Sequence, residues 1–225
     1  MGDKLLLSFM KVCYKDRFLF LIVFMVALIV IGPFIEGYIG LTLFMEIFFS
    51  IIFFATIYAV SQKKIHVVIA ALLLIPALVA VWTPDIPKYN ILLTIGYLCG
   101  LAVLAFAIIS ILNFIFTEET VTRQTISAAV AVYLLMALMW TFIYRLIANL
   151  YPGSFAVAHD ALHSAENVYL YFSLVTITTL GYGDITPVGS QAIALSVLEA
   201  ITGQIYLVVV IAWFVGLYVS KKSSK

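Results

Sequence analysis

A short polar stretch, TTLGYGD at residues 178–184, lies inside a long apolar region near the end of the chain. Its glycines, Gly181 and Gly183, can adopt positive φ, which allows successive backbone carbonyls to point the same way. The carbonyls of residues 179–183 and the Thr179 hydroxyl would then form a row of oxygen atoms. Rings of such oxygens can replace the water shell of a cation, so the chemistry that these residues offer is cation coordination.

The composition around this stretch is that of an integral membrane protein. Of the 225 residues, 65% are hydrophobic and 10% are charged, whereas soluble domains have about half and a quarter. A formal net charge of +1 argues against nucleic acid as a partner. Cys13 and Cys99 provide neither a disulfide framework nor a metal-ligand spacing. Because no catalytic triad, phosphate loop or zinc spacing is present, we predict no enzyme activity.

Apolar runs separated by polar breaks predict an all-α integral membrane fold with six transmembrane helices. The predicted spans are residues 18–35, 39–61, 65–82, 91–116, 126–150 and 190–219. Each can cross a hydrocarbon core of about 30 Å at about 1.5 Å per residue. In the orientation that puts both termini on the cytoplasmic side, ten of the 12 lysines and arginines are cytoplasmic. The positive-inside rule therefore predicts cytoplasmic termini. We expect the protein to lie in the plasma or inner membrane.

The first 17 residues have the pattern of an amphipathic helix. Lys4, Lys11 and Lys15 recur at helical spacing, with apolar residues elsewhere on the helical wheel. Such a helix would lie on the inner leaflet with its lysines toward anionic lipid headgroups. The alternative is a plain basic segment beside the membrane.

About forty residues, 151–189, separate the last two predicted spans. Their middle, AENVYLYFSLVTITT, is apolar but too short to span, which predicts a re-entrant helix. The TTLGYGD stretch follows it directly. Non-helical backbone survives at membrane depth only where it is buried in protein or lines a watery path. We therefore expect the TLGYG segment, defined as residues 179–183, to line a pore, with the negative end of the preceding helix facing the cation.

At these residues the chain resembles the potassium-channel family. TITTLGYGD, residues 176–184, matches the family's filter, usually written TVGYG, with Leu180 in place of the commoner valine. ITPVG resembles the family's return turn, and Gly203 lies where many members have an inner-helix hinge. The close similarity covers about Tyr171 to Leu217. The resemblance implies a homotetramer, K+ as the permeant ion, no cofactor, and ion binding at Thr179, Leu180, Gly181, Tyr182 and Gly183, with K+ sites at the first four.

The resemblance also suggests which residues support the filter. We assign this role to Tyr171, Thr176, Thr178, Asp184 and Glu199. Some relatives have a glutamate where this chain has Val175, and it pairs with the acid after the filter. Here Tyr171 is expected to donate to Asp184 instead, since a buried tyrosine hydroxyl usually finds a partner; packing alone is the alternative.

Glu199 is an acid in the sixth predicted span. Because an intramembrane carboxylate is costly, we expect a function for it. It either hydrogen-bonds the re-entrant helix behind the filter, in protonated form, or faces the cavity and attracts cations. His159 and His163 are four residues apart in the outer loop. Either they are ordinary exposed loop residues, or they sense protons or bind a metal weakly.

These features together predict the domain organisation. It comprises a leader (1–17), a four-helix peripheral domain (18–116), a linker (117–125), a pore domain (126–219) and a tail (220–225). Within the pore domain, residues 208–219 would line the inner gate. The layout resembles that of voltage-gated relatives, but the fourth span, 91–116, has no charged residue, so we predict no voltage gating through it.

Three other functions compete with a potassium channel. A weakly selective cation channel and a non-conducting sensor or scaffold would both keep the pore fold. A transporter is disfavoured, because the sequence has no repeated halves or paired broken helices.

Overall fold

A computed structural model describes residues 16–35, 47, 49–55, 72–79, 82, 91–157 and 168–223. The described elements are α1 (Arg17–Ile35), α2 (Ile91–Thr117), α3 (Arg123–Leu150), β1 (Phe155–Val157), α4 (Val168–Ile177), β2 (Ile185–Pro187) and α5 (Ser190–Ser223). Short helical pieces also occur at 49–55 and 72–79. The leader lysines Lys4, Lys11 and Lys15, the histidines His159 and His163, and most of the predicted second and third spans lie outside the described residues.

The described part of the chain is mostly helical, and three of its helices are long and apolar enough to cross a membrane. These are Ile91–Thr117, Arg123–Leu150 and Ser190–Lys221. They coincide within a few residues with the predicted fourth, fifth and sixth spans, and α1 coincides with the predicted first. The length of an apolar stretch predicts these helices well, because a backbone that crosses a membrane must form its hydrogen bonds within the protein.

The turn between α2 and α3 is short and capped on both sides. The Thr117 hydroxyl donates back to the Asn113 carbonyl at 2.8 Å. Thr122 and Thr125 form a reciprocal capping box, with N–H to hydroxyl distances of 2.8 and 3.2 Å. These bonds satisfy backbone groups that a helix end leaves free. The short turn brings α3 back antiparallel against α2.

Close packing joins α2 to α3 at Gly100 and Phe142. A Cβ atom on Gly100 would lie 2.7 Å from the Phe142 ring. The fully buried Phe142 ring meets Phe53 and Tyr97 edge-on, at centroid distances of 5.6 and 6.2 Å. Nearer the other end, Asn149 donates to the Thr94 hydroxyl at 3.1 Å. The fourth predicted span therefore packs on the fifth within one chain.

The beginning of α1 lies against the end of α2. The Phe18 and Phe114 ring centroids are 5.4 Å apart, and the Arg17 guanidinium carbon lies 4.7 and 5.6 Å from them. A small pocket at the same end is lined by Leu19 and by Arg123, the first residue of α3. Since α1 starts where α2 stops, the two helices run in opposite directions through the molecule.

Two short strands modify the all-α prediction. Phe155 pairs with Pro187 and Val157 with Ile185 in an antiparallel ladder, and the Ser154 carbonyl accepts from the Val188 N–H at 2.8 Å. ITPVG was predicted as a turn, but its first three residues form β2. The strand depends on a partner about 30 residues earlier in the chain, and no local pattern of three residues reveals such a partner.

Candidate functional site

Helix α4 is held in place by an aromatic cluster. Trp140 and Tyr144 from α3 pack with Phe172 and Ile177 from α4 and with Ile185 from β2. The Tyr144 and Phe172 rings meet edge-on at 5.0 Å, a favoured arrangement for aromatic pairs. This cluster gives the short helix, and the polar stretch after it, a fixed position.

Backbone hydrogen bonds tie the TLGYG segment to the end of α4. The Thr179 N–H donates to the Thr176 carbonyl at 2.9 Å. The Val175 carbonyl accepts from Leu180 at 2.9 Å and from Gly181 at 3.3 Å. The chain therefore leaves the helix through a tight turn, since carbonyls of the last turn have no helical partner.

Every second residue of the TLGYG segment has positive φ. The angles are 60° at Thr179, 60° at Gly181 and 79° at Gly183. The positive φ predicted for both glycines is confirmed. A Cβ atom on Gly181 or Gly183 would have no atom of the described residues within 4 Å, so backbone conformation rather than space requires glycine there.

Thr179 was not predicted to share this conformation, because a β-branched residue rarely adopts it. Its hydroxyl donates to the Thr178 carbonyl at 2.6 Å. In an ordinary strand, successive carbonyls point to opposite sides, whereas a regular alternation in the sign of φ turns them toward one side. The segment therefore has the backbone that a row of carbonyl oxygens on one side requires.

Tyr171 and Asp184 form the hydrogen bond predicted between them. The Tyr171 hydroxyl donates to Asp184 Oδ2 at 2.6 Å, and Asp184 Oδ1 accepts from the Ile185 N–H at 3.0 Å. Burial, and after it the bond to Asp184, raises the pKa of Tyr171 to about 12. The tyrosine therefore stays protonated and acts as the donor at neutral pH. The bond joins α4 to the residue directly after the TLGYG segment.

Glu199 lies fully buried between three helices. Its Oε1 lies 2.5 Å from the Ser173 hydroxyl of α4, and its Oε2 accepts from the Tyr144 hydroxyl of α3. The structure thus has the first of the two arrangements that the sequence left open, a hydrogen bond to the helix behind the TLGYG segment. Thr176 and Thr178 lie at the end of the same helix, where Thr178 bonds back to the Leu174 carbonyl at 2.6 Å.

Two tyrosines missed by the sequence analysis join α3 to α4 and to α5. The Tyr133 hydroxyl donates to the Ile177 carbonyl at 2.9 Å, and the Tyr206 hydroxyl donates to the Ala129 carbonyl at 2.7 Å. The two rings are stacked at 6.0 Å. Their signal in the sequence is weak but physical: a tyrosine hydroxyl in an apolar helix must find an acceptor.

Gly203 also contacts the last residue of α4. A Cβ atom there would lie 2.6 Å from Ile177 Cγ1 and 2.8 Å from the Ile177 carbonyl oxygen. Helix α5 continues through this position from Ser190 to Ser223. The glycine therefore has a packing role, and its predicted role as a hinge stays a prediction.

The apolar helices and the comparisons define the class of protein. Residues 132–220 match the model of a protein family described as an ion channel, and with the membrane-length helices this indicates a membrane protein with an ion channel domain. The matched part contains most of α3 and all of α4, the TLGYG segment and β2. No curated protein and no solved structure matches the chain. Within the described ranges no group of three metal-ligating side chains occurs.

Proposed function

We propose that four copies of this chain form a potassium-selective channel in which the TLGYG segment is the selectivity filter. The observation that carries the proposal is the positive φ at Thr179, Gly181 and Gly183 directly after α4, inside the ion channel match. A row of carbonyl oxygens with this backbone can replace the hydration shell of K+. Thr179, Leu180, Gly181 and Tyr182 would hold the K+ ions, and α4 would be the pore helix.

The exposed surface of α5 supports assembly. In its most apolar stretch only 17% of the residues are buried within the chain, against 56% for α3. Apolar residues at helical spacing, such as Val197, Ile201 and Ile205, are among the exposed ones. A ring of carbonyls needs several copies of the chain, and cyclic symmetry is the usual way to close such a ring. The resemblance to potassium channels implies four copies.

The positions of charged residues support a six-span chain with cytoplasmic termini. Arg17 and Arg123 lie at one end of the molecule, as the positive-inside rule requires for residues on one side. The Phe116 and Trp213 rings, 5.3 Å apart, put the second half of α5 near the same end. The opposite directions of α1 and α2 agree with the four crossings proposed before residue 117.

Potassium flux into liposomes containing the purified protein tests the proposal. The wild type should pass K+ far better than Na+, and Ba2+ should block it. Gly181→Ala should abolish selective flux, because alanine resists φ near 60°. A matched control is Gly153→Ala. Gly153 has φ of 85° and no described residue within 4 Å of its Cβ position, but it lies outside the TLGYG segment.

The outcomes separate the proposal from its rivals. Loss of flux in Gly181→Ala with flux kept in Gly153→Ala supports the filter assignment. Equal K+ and Na+ permeation in the wild type would identify a weakly selective cation channel. An oligomeric protein that passes neither ion would identify a non-conducting sensor or scaffold.

A further inference from the structure

The buried contacts of Glu199 form a chain of four polar groups. The Ser173 hydroxyl oxygen lies 2.7 Å from the Ala137 carbonyl oxygen and 2.5 Å from Glu199 Oε1. Glu199 Oε2 contacts the Tyr144 hydroxyl. Ser173, Ala137 and Glu199 belong to α4, α3 and α5, so these hydrogen-bonded groups link all three helices.

The number of protons available to these four groups indicates whether the carboxyl group is protonated. Three oxygen–oxygen contacts need one proton each, and a backbone carbonyl supplies none. Ser173 and Tyr144 supply one proton each, which leaves one contact without a proton if Glu199 is ionised. All three contacts are satisfied when the third proton lies on the carboxyl group: Tyr144 donates to Oε2, Oε1–H donates to Ser173, and Ser173 donates to Ala137.

The surroundings agree with a neutral carboxylic acid. Glu199 is 0% exposed and lies in a membrane-length helix, where an unpaired charge is expensive. Among the described residues, the titratable groups facing it are the hydroxyls of Tyr144 and, farther away, Tyr133, both from α3. Within the described residues of α4 and α5 no cation contacts it.

The geometry points to Glu199 as a protonated positioning residue that holds α4, and through it the TLGYG segment, against α5. This inference rests on the proposed function for its effect on conduction. Ser173 and Ile177 are four residues apart on α4, and Glu199 and Gly203 are four apart on α5, so each pair lies on one helix face. The hydrogen bond at Ser173 and the close contact at Ile177 thus hold α4 against α5 at two successive helical turns. If the carboxyl group loses its proton, only two protons remain for three contacts, and the link to Ser173 or to Ala137 breaks.

Infrared difference spectra test the protonation without requiring conduction. The spectrum of the wild type minus Glu199→Gln, in liposomes at neutral pH, should contain the carbonyl band of a protonated carboxylic acid. A carboxylate band in its place would overturn the inference. Because this measurement needs no ion flux, it gives an answer even if the chain does not conduct, so failure of the inference and failure of the proposed function are distinguishable.

Unfolding and flux measurements test the positioning role. The Glu199→Gln amide donates to Ser173 and its oxygen accepts from Tyr144, so this variant should keep the wild-type Tm and flux. Glu199→Ala and Ser173→Ala should lower the Tm and reduce flux by about tenfold or more, as loss of a buried hydrogen bond to a polar group predicts. The matched control is Ser110→Ala, whose hydroxyl donates to the Phe106 carbonyl of its own helix at 2.7 Å.

A pH series gives the second functional readout. Wild-type flux should fall reversibly as alkaline pH removes the carboxyl proton, whereas Glu199→Gln, which has no such proton, should keep its flux over the same range. The same fall in Glu199→Gln would assign the pH effect to another group and overturn the inference. Wild-type Tm and flux in Glu199→Ala would do so as well.

Discussion

Gly203 and Ile177 touch where α5 passes the end of α4. A Cβ atom on Gly203 would lie 2.8 Å from the Ile177 carbonyl oxygen, and that carbonyl also accepts the Tyr133 hydroxyl at 2.9 Å. The Ile177 side chain is fully buried. Because neither the backbone nor the packed side chain has room to move, the close approach of the two helices requires glycine at position 203.

Gly203→Ala should therefore lower the free energy of unfolding by about 1–3 kcal/mol, the usual cost of overpacking. Denaturant unfolding of the purified protein in detergent measures this. The matched control is Gly216→Ala on the same helix, where a Cβ atom would meet nothing within 4 Å. That variant should be neutral or more stable by up to about 1 kcal/mol, since alanine favours helix. Equal stability of the two variants would contradict the close contact.

Tyr171→Phe should shorten the time for which the proposed filter conducts. The change removes the 2.6 Å bond to Asp184, and a hydrogen bond to a carboxylate contributes about 1 kcal/mol or more. Single-channel recording in lipid bilayers would measure the dwell time in the conducting state. Asp184→Asn should shorten it as well, because its neutral amide accepts more weakly.

Tyr151→Phe is the control for this change, because Tyr151 is an exposed tyrosine at the end of α3. The dwell time of Tyr151→Phe in the conducting state should match that of the wild type. If Tyr171→Phe and Asp184→Asn both keep wild-type kinetics, the bond has no part in supporting the filter.

Gly100 and Phe142 should be energetically coupled. Gly100→Ala places a methyl group 2.7 Å from the Phe142 ring, which should destabilise the protein by about 1–3 kcal/mol. In a Phe142→Leu background the smaller side chain leaves room for the methyl group, so the same change should cost less. A double-mutant cycle on the free energy of unfolding measures the coupling. Strictly additive effects would show that α2 and α3 do not pack at this point.

The open probability should stay nearly flat across about 200 mV, because one gating charge exchanges about 2.3 kcal/mol per 100 mV and α2 has no charged residue. Its polar side chains have local roles: Thr94 accepts from Asn149, and Ser110 bonds to its own helix. Conductance–voltage curves at fixed ion gradients, recorded without blocking ions, measure this. A steep sigmoidal curve would show that another part of the chain senses voltage.

Local rules in the sequence determined the membrane-length helices and the conformation of the TLGYG glycines. A helix in lipid must pair its own backbone hydrogen-bonding groups, so the length of each apolar stretch predicts α2, α3 and α5. Glycine is the residue that most readily adopts positive φ, so the spacing of Gly181 and Gly183 predicted their backbone. The bond between Tyr171 and Asp184 was also predictable, because both residues lie in one short segment whose pattern resembles a known family.

The tertiary structure alone decided which distant groups meet. Tyr133 reaches the Ile177 carbonyl across 44 residues, and Tyr144 reaches Glu199 across 55. The pairing of β1 with β2 likewise depends on segments far apart in sequence. Helical periodicity shows which face of a helix a residue occupies, but not the rotation and depth at which another helix packs against it. The sequence therefore identified Glu199 as a costly buried acid, and only the packing of three helices gave it Ser173 and Tyr144 as partners.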